Sequence, residues 1–255
     1  MEKAIIGGTG VYEIGKSSQQ EIKTEYGRVI VDIAKINGEE IAFLARHGKG
    51  HSVPPHLINY RANMRALRDL GIKYIYATCA VGSCNESFVP SDVVVLKDFI
   101  DFTKVRPLTF YEGSKNGVAH VTMDAPYCPN LRETFFKCAQ KTGLQIKGHA
   151  VYVSTEGPRF ETAHEIKMYK MLGGDVVGMT NVPEVVLAKE LGMCYQAVGI
   201  ITNWCTGIKG DVIDHDIKGI MEKNEALVTE TFILALNSEK LSQYACKCKA
   251  SLLKL

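Results

Sequence analysis

The chain has 255 residues, with 30 Lys+Arg against 28 Asp+Glu, a net charge of +2, 46% hydrophobic and 23% charged residues. That balance excludes an intrinsically disordered chain, which combines low hydrophobicity with high net charge. It also leaves no basic footprint for nucleic acid. The length suits one large domain or two small ones. No repeat, low-complexity tract or Pro/Ser-rich linker divides it, so residues 1–255 read as a single domain.

Short β-type runs alternate with helical patterns, the mark of an α/β domain. In chain order the pattern predicts strands at Ala4–Ile6, Val29–Ile33 and Ile41–Leu44, then a helix at Asn59–Leu70. Strands at Tyr74–Thr78 and Val93–Leu96 precede a helix at Asn130–Thr142. A strand at Val151–Ser154 leads to helices at Thr162–Leu172 and Pro183–Leu191, a strand at Gln196–Ile201 and a last helix at Asp214–Asn237. Gly71, Gly143, Gly173 and Gly192 each follow a helical run, where a left-handed cap is expected. Several strands are apolar throughout, as buried central strands are.

The opening apolar run is too short for a signal peptide. The longest uncharged stretch, Leu191–Ile208, is interrupted by Gln196, Thr202 and Asn203. A cytoplasmic protein with no membrane partner is expected. Eight cysteines are spread from Cys79 to Cys248, and only Cys246 and Cys248 are closely spaced. Reduced thiols are expected, with no metal site, because structural zinc takes two paired ligand sets.

Three loops leave strands with anion-binding character. Gly7-Gly8-Thr9-Gly10 follows the first strand and offers backbone N–H groups. It lacks the Gly-Lys-Ser/Thr of a nucleotide P-loop, and its third dinucleotide glycine is replaced by Glu13. Ala45-Arg46-His47-Gly48 adds two cationic side chains suited to an oxyanion. Thr78-Cys79-Ala80-Val81-Gly82-Ser83 again offers small residues with accessible amides. Each loop alone also reads as an ordinary turn, but ligands in open α/β sheets collect at strand carboxyl ends.

Glu156-Gly157-Pro158-Arg159-Phe160-Glu161-Thr162 brings an aromatic ring and a carboxylate to a strand end. Phe160 suits stacking on a planar heterocycle, and Glu161 suits accepting from ring N–H groups. Helix N-terminal chemistry is the plainer alternative for Glu161. Met179-Thr180-Asn181-Val182-Pro183-Glu184 marks a loop-to-helix entry, and Asn203 ends an apolar strand with one amide donor set and one acceptor.

In this order, these motifs resemble those of the trimeric purine nucleoside phosphorylases, most closely the methylthioadenosine phosphorylase branch. The resemblance runs from Ala4 to about Glu225. It implies the nucleoside phosphorylase fold, a single domain with a central mixed β-sheet flanked by helices, assembled as a homotrimer. It further implies phosphorolysis of a purine nucleoside by inorganic phosphate, in purine salvage, with no cofactor. Carried over by position, Thr9, Arg46, His47, Cys79, Ala80 and Thr180 would surround phosphate. Met179 would touch ribose. Phe160, Glu161 and Asn203 would face the base, with Glu161 and Asn203 acting on it as it departs, and Cys205 would also contact substrate. His215 would lie near the sugar 5′ position, and His120 would reach a neighbouring subunit's site.

Two departures from that branch bear on chemistry. Cys79 replaces a hydroxyl residue, and a thiol donates more weakly. Asn203 replaces an aspartate, which favours 6-oxopurines such as inosine and guanosine, with 5′-methylthioinosine or 5′-methylthioadenosine as the alternative. Rival readings are a dinucleotide-binding oxidoreductase built on Gly7–Gly10 and a non-catalytic purine binder.

Overall fold

The computed structural model describes residues 1–7, 17–48, 50, 52–113, 116–210, 216–239 and 241–254. Every predicted strand and helix is present. The strands are β1 (Lys3–Gly7), β2 (Ser17–Thr24), β3 (Gly27–Ile36), β4 (Glu39–Ala45), β5 (Tyr74–Ser83) and β6 (Val93–Phe102). They continue with β7 (Ala119–Val121), β8 (Ile146–Thr155), β9 (Val176–Gly178), β10 (Cys194–Trp204) and β11 (Leu252–Lys254). The α-helices are α1 (Tyr60–Asp69), α2 (Pro129–Thr142), α3 (Ala163–Met171), α4 (Asn181–Glu190) and α5 (Ile217–Leu236).

Local chemistry sets the helix ends. Asn59 Oδ1 accepts from the Ala62 amide at the start of α1. Thr162 and Glu165 form a reciprocal capping box on α3. Asp216 accepts from the Gly219 amide on α5. The predicted glycine caps all take positive φ, from 70° at Gly192 to 87° at Gly173. Within α4, Val182 is extended (φ −109°, ψ 128°), because the proline that follows it disfavours helical geometry. Regular helix therefore starts at Pro183, as predicted.

Nine strands form one mixed sheet in the order β10-β6-β8-β9-β5-β1-β4-β3-β2, and β10 also pairs with β5. That extra pairing closes β10, β6, β8, β9 and β5 into a ring, leaving β1 to β4 as an open extension. β1 runs parallel to β4 and β5, and β10 runs parallel to β5, whereas β9 meets β5 antiparallel. Short β7 and β11 form a separate pair. β2 is solvated along most of its length and starts with Ser17-Ser18-Gln19-Gln20. A dinucleotide fold would place its first helix in this part of the chain, so the oxidoreductase reading loses its support.

Apolar clusters fill both faces of the sheet, one beneath α1 and α4 and the other beneath α2 and α5. In the second, Tyr76 stacks on Phe232 with centroids 4.8 Å apart, and Phe135 packs against both. Phe232 is fully buried. Phe232→Ala should lower stability by about 3–5 kcal/mol, the usual cost of a buried aromatic truncation. A urea midpoint close to that of the parent would show that this cluster collapses around the gap.

Candidate active site

β5 carries two partners at its carboxyl end. Gly82 and Ser83 pair antiparallel with β9 on one side, and with Asn203 and Trp204 of β10 on the other. The β10 register slips between Ile201 and Asn203, a bulge that re-aims the side chains following it. A cavity of about 260 Å³ opens at this fork. It is lined by Arg46 and His47 after β4, Ala80–Gly82 of β5, and Phe160 and Glu161 after β8. Met179 and Thr180 after β9, and Thr202, Asn203 and Cys205 around the end of β10, complete most of the wall. Gly82 is required by close approach: a Cβ there would lie 2.9 Å from Cys205 Sγ and 3.0 Å from Asn203 Nδ2.

The strand order gives the cavity a polarity. β8, which leads to Glu161, and β4, which leads to Arg46 and His47, are separated by β9, β5 and β1. Glu161 is buried, and Thr155 Oγ1 donates to its Oε1 at 2.7 Å. Burial pushes its carboxyl above the ordinary glutamate range, and the Thr155 hydroxyl offsets only part of that. Phe160 leaves half its surface exposed beside it. Asn203 is fixed in one orientation, since Thr202 Oγ1 donates to its Oδ1 at 2.8 Å and its Nδ2 donates to Trp204 O at 2.9 Å. An amide nitrogen carries a second hydrogen beyond that bond.

At the other end, the guanidinium of Arg46 has no exposed surface. Its Nε and Nη2 donate to the two oxygens of Glu184 at 2.6 and 2.7 Å, and Nη1 donates to Thr78 O at 2.9 Å. Tyr195 Oη donates to the same Glu184 at 2.6 Å. Burial works against the arginine charge, but Glu184 outweighs it and holds Arg46 protonated. His47 donates through Nδ1 to Val53 O at 2.8 Å, which orients its ring. The Thr180 amide donates to Tyr152 Oη at 3.1 Å.

The fold thus gathers Arg46, His47, Ala80, Phe160, Glu161, Met179, Thr180, Asn203 and Cys205 around one cavity. Two expected residues, Cys79 and His120, do not line it. Cys79 falls on the opposite face of β5 from Ala80, within the core, and its Sγ accepts from Asn181 Nδ2 at 3.7 Å. His120 sits exposed on β7, away from the cavity lining of this chain. Thr9 and His215 lie outside the described residues, although Ile217, just after His215, lines the cavity.

Sequence reasoning missed Arg106. Its side chain is 1% exposed and pairs with Glu156 Oε1 at 3.2 Å. Its nitrogens donate to Thr155 O, Glu156 O, Met179 O and Val182 O at 2.6–3.2 Å, and to Tyr60 Oη. One guanidinium therefore holds both loops that carry Phe160, Glu161, Met179 and Thr180. No local pattern marks it, because its partners lie 46 to 76 residues away. Arg106→Met should cost about 3–5 kcal/mol, as removing one partner from a buried ionic network does. It should also raise KM for substrate more than it lowers kcat; an unchanged melting temperature and KM would remove Arg106 from this role.

Residues 2–236 match the phosphorylase superfamily, and the chain belongs to it. Among its relatives, the 6-oxopurine nucleoside phosphorylase of Pyrococcus furiosus is 46% identical over 257 aligned positions, covering 98% of this chain and 97% of that one. A probable S-methyl-5′-thioinosine phosphorylase of Methanopyrus kandleri is 50% identical over 208 positions, covering 81% and 80%. The solved structure of a methylthioadenosine phosphorylase from an antarctic soil metagenomic library superposes with a TM-score of 0.89 at 32% identity, covering 98% of this chain and 90% of that one.

Proposed function

We propose that the protein cleaves 6-oxopurine nucleosides, inosine and guanosine, with inorganic phosphate, releasing the free base and ribose 1-phosphate. The observation that carries this reading is a buried carboxylate, Glu161, and an oriented amide, Asn203, lining one cavity. Hypoxanthine and guanine present N1–H as a donor, and an ionised carboxylate only accepts. Adenine N1 is itself an acceptor and would leave both groups unpaired, a costly mismatch in a desolvated site. The remaining amide hydrogen of Asn203 would donate to N7 or O6 as negative charge builds on the departing base.

Phosphate would lie on the side of Arg46, His47, Ala80 and Thr180, with Thr9 among the residues that hold it. There it would face the anomeric carbon while the ribose gains cationic character. The Arg46 charge is already paired with Glu184, so this anion contact would rest on hydroxyl and backbone donors as much as on net charge. Met179 would contact the ribose, and His215 its 5′ end. A homotrimer, with His120 reaching a neighbouring site, and a place in the cytoplasm belong to the same reading. Among the described residues, no helix is long and apolar enough to cross a membrane.

The names of the relatives leave two 5′ groups in play, hydroxyl and methylthio. Incubating the protein with inosine, 5′-methylthioinosine and 5′-methylthioadenosine, with and without phosphate, and following base release separates them. Phosphate-dependent release of hypoxanthine, fastest from inosine, is expected. Release without phosphate, or none from any nucleoside, would end the phosphorylase reading. Faster cleavage of 5′-methylthioadenosine would end the 6-oxopurine preference. Asn203→Asp should move preference toward adenosine by roughly tenfold or more, the worth of one charge-assisted hydrogen bond.

Glu161 also sets a pH dependence. Its raised pKa means that it takes up a proton at a higher pH than an ordinary glutamate. Protonated, its carboxyl can donate, which suits adenine N1 and not hypoxanthine N1–H. As pH falls through that raised pKa, kcat/KM for inosine should fall and the adenosine-to-inosine ratio should rise. Glu161→Gln should remove this limb of the profile; an identical acid limb in the variant would assign it to another group.

A further inference from the structure

The sequence shows one close cysteine pair, Cys246 and Cys248, but the fold adds two more thiols to it. Cys128 stands immediately before α2, and Cys194 opens β10. The four sulfur atoms all lie within 4.8 Å of one another, and Cys194 and Cys246 are 3.4 Å apart. We infer that Cys128, Cys194, Cys246 and Cys248 form a four-thiolate site for one soft divalent cation, with Zn²⁺ as the ion that fits. Tetrahedral zinc with Zn–S bonds of ~2.3 Å sets its four sulfurs about 3.8 Å apart, so small adjustments complete this arrangement.

The geometry favours a metal over paired disulfides. Two disulfides need closeness only within each pair, whereas one central ion requires all four sulfurs to converge. All eight cysteines of the chain are free thiols. Three of the four cluster residues are buried, and Cys246 is partly exposed, which leaves an entry path. Binding exchanges four S–H protons for one Zn²⁺ and leaves a net charge of −2 on the centre. A basic side chain lies within range of these sulfurs: Lys189, buried on α4, donates to Ala125 O. Burial lowers its pKa, while the sulfurs of Cys248, Cys128 and Cys246 and the carboxylate of Asp124 partly offset that.

The site joins the end of the chain to its middle. Cys246 and Cys248 belong to the C-terminal segment whose β11 pairs with β7, while Cys128 and Cys194 belong to the core. Its role is structural: the ion staples that segment to α2 and β10. Folding then takes part of its free energy from the metal, as in other thiolate-zinc modules.

The test uses the full chain. Purified under reducing conditions, the protein should contain one zinc per chain, and a chelator strong enough to remove it should lower the melting temperature. Reduced, metal-free protein titrated with Co²⁺ should saturate at one equivalent, with the thiolate charge-transfer and tetrahedral d–d bands of a sulfur-only site. Zn²⁺ should bleach those bands. Cys246→Ser/Cys248→Ser should lose the metal and the bands, while Cys138→Ser, outside the cluster, should keep both. If the double variant does not fold, the Co²⁺ spectrum of the parent decides. Absence of those bands at saturating Co²⁺ overturns the inference, as does a spectrum that Cys138→Ser abolishes. Protein isolated with two disulfides that, once reduced, binds no Co²⁺ overturns it equally.

Discussion

Two opposite charges without exposed side-chain surface fix the ground on which the site stands. Arg46 and Glu184 meet through two hydrogen bonds across 138 residues of chain. Removing such charges from water costs several kcal/mol each, and only near-ideal geometry with the remaining donors and acceptors used makes the pair tolerable. Both conditions hold, because the fork is bidentate and Thr78 O and Tyr195 Oη take further positions around it. The pair thereby ties four elements in register: the end of β4, the middle of β5, the first turn of α4 and the start of β10. Those elements deliver most of the cavity wall.

Arg106 does the same work on the opposite side with carbonyls in place of a single carboxylate. Its planar fork reaches the ends of β8 and β9 at once, which a point-like ammonium on a flexible stem does not match. The two buried arginines are thus spent on shape. Groups left to meet a ligand are a carboxylate raised by burial, an oriented amide, hydroxyls, amides and an exposed ring. Under the proposed function, such a set would recognise a planar heterocycle by its hydrogen-bond pattern more than by charge.

How much of this the sequence disclosed follows from the range of each signal. Helix C-terminal ends were legible because the glycine caps act within a turn of where they stand, and the predicted starts at Asn59 and Thr162 coincide with the side-chain caps that the structure shows there. Central strands were legible because they are apolar throughout. β2 was not, since its Ser-Ser-Gln-Gln start shows no buried face, and β7, β9 and β11 are only three residues each. At the site, strand-end motifs disclosed Arg46, Phe160, Glu161 and Asn203 as neighbours in space. Arg106, Tyr195 and the partnership of Glu184 carried no local mark. Cys79 was misplaced for a traceable reason: β5 was expected to stop at Thr78, so Cys79 and Ala80 read as loop. The strand continues to Ser83, and its alternation puts the two on opposite faces.

The thiol cluster and the cavity are not independent parts of the molecule. Cys128 and Cys194 each neighbour a buried tyrosine in sequence, Tyr127 and Tyr195, and the Cys128 amide donates to Tyr195 O at 2.8 Å. Tyr127 Oη donates to Asn181 Oδ1, Asn181 Nδ2 donates to Tyr195 Oη at 2.9 Å, and Tyr195 Oη donates on to Glu184. Asn181 follows Thr180, and Glu184 holds Arg46, so this chain of hydroxyls and amides ends directly behind the cavity wall. Displacing Cys194 along β10 would carry Tyr195 with it and pull a donor from the buried ion pair. In a low-dielectric interior, that loss falls on the charge least able to bear it. Whatever fixes the four sulfurs therefore also bears on the position of Glu184, and through Glu184 on the Arg46 guanidinium at the cavity wall.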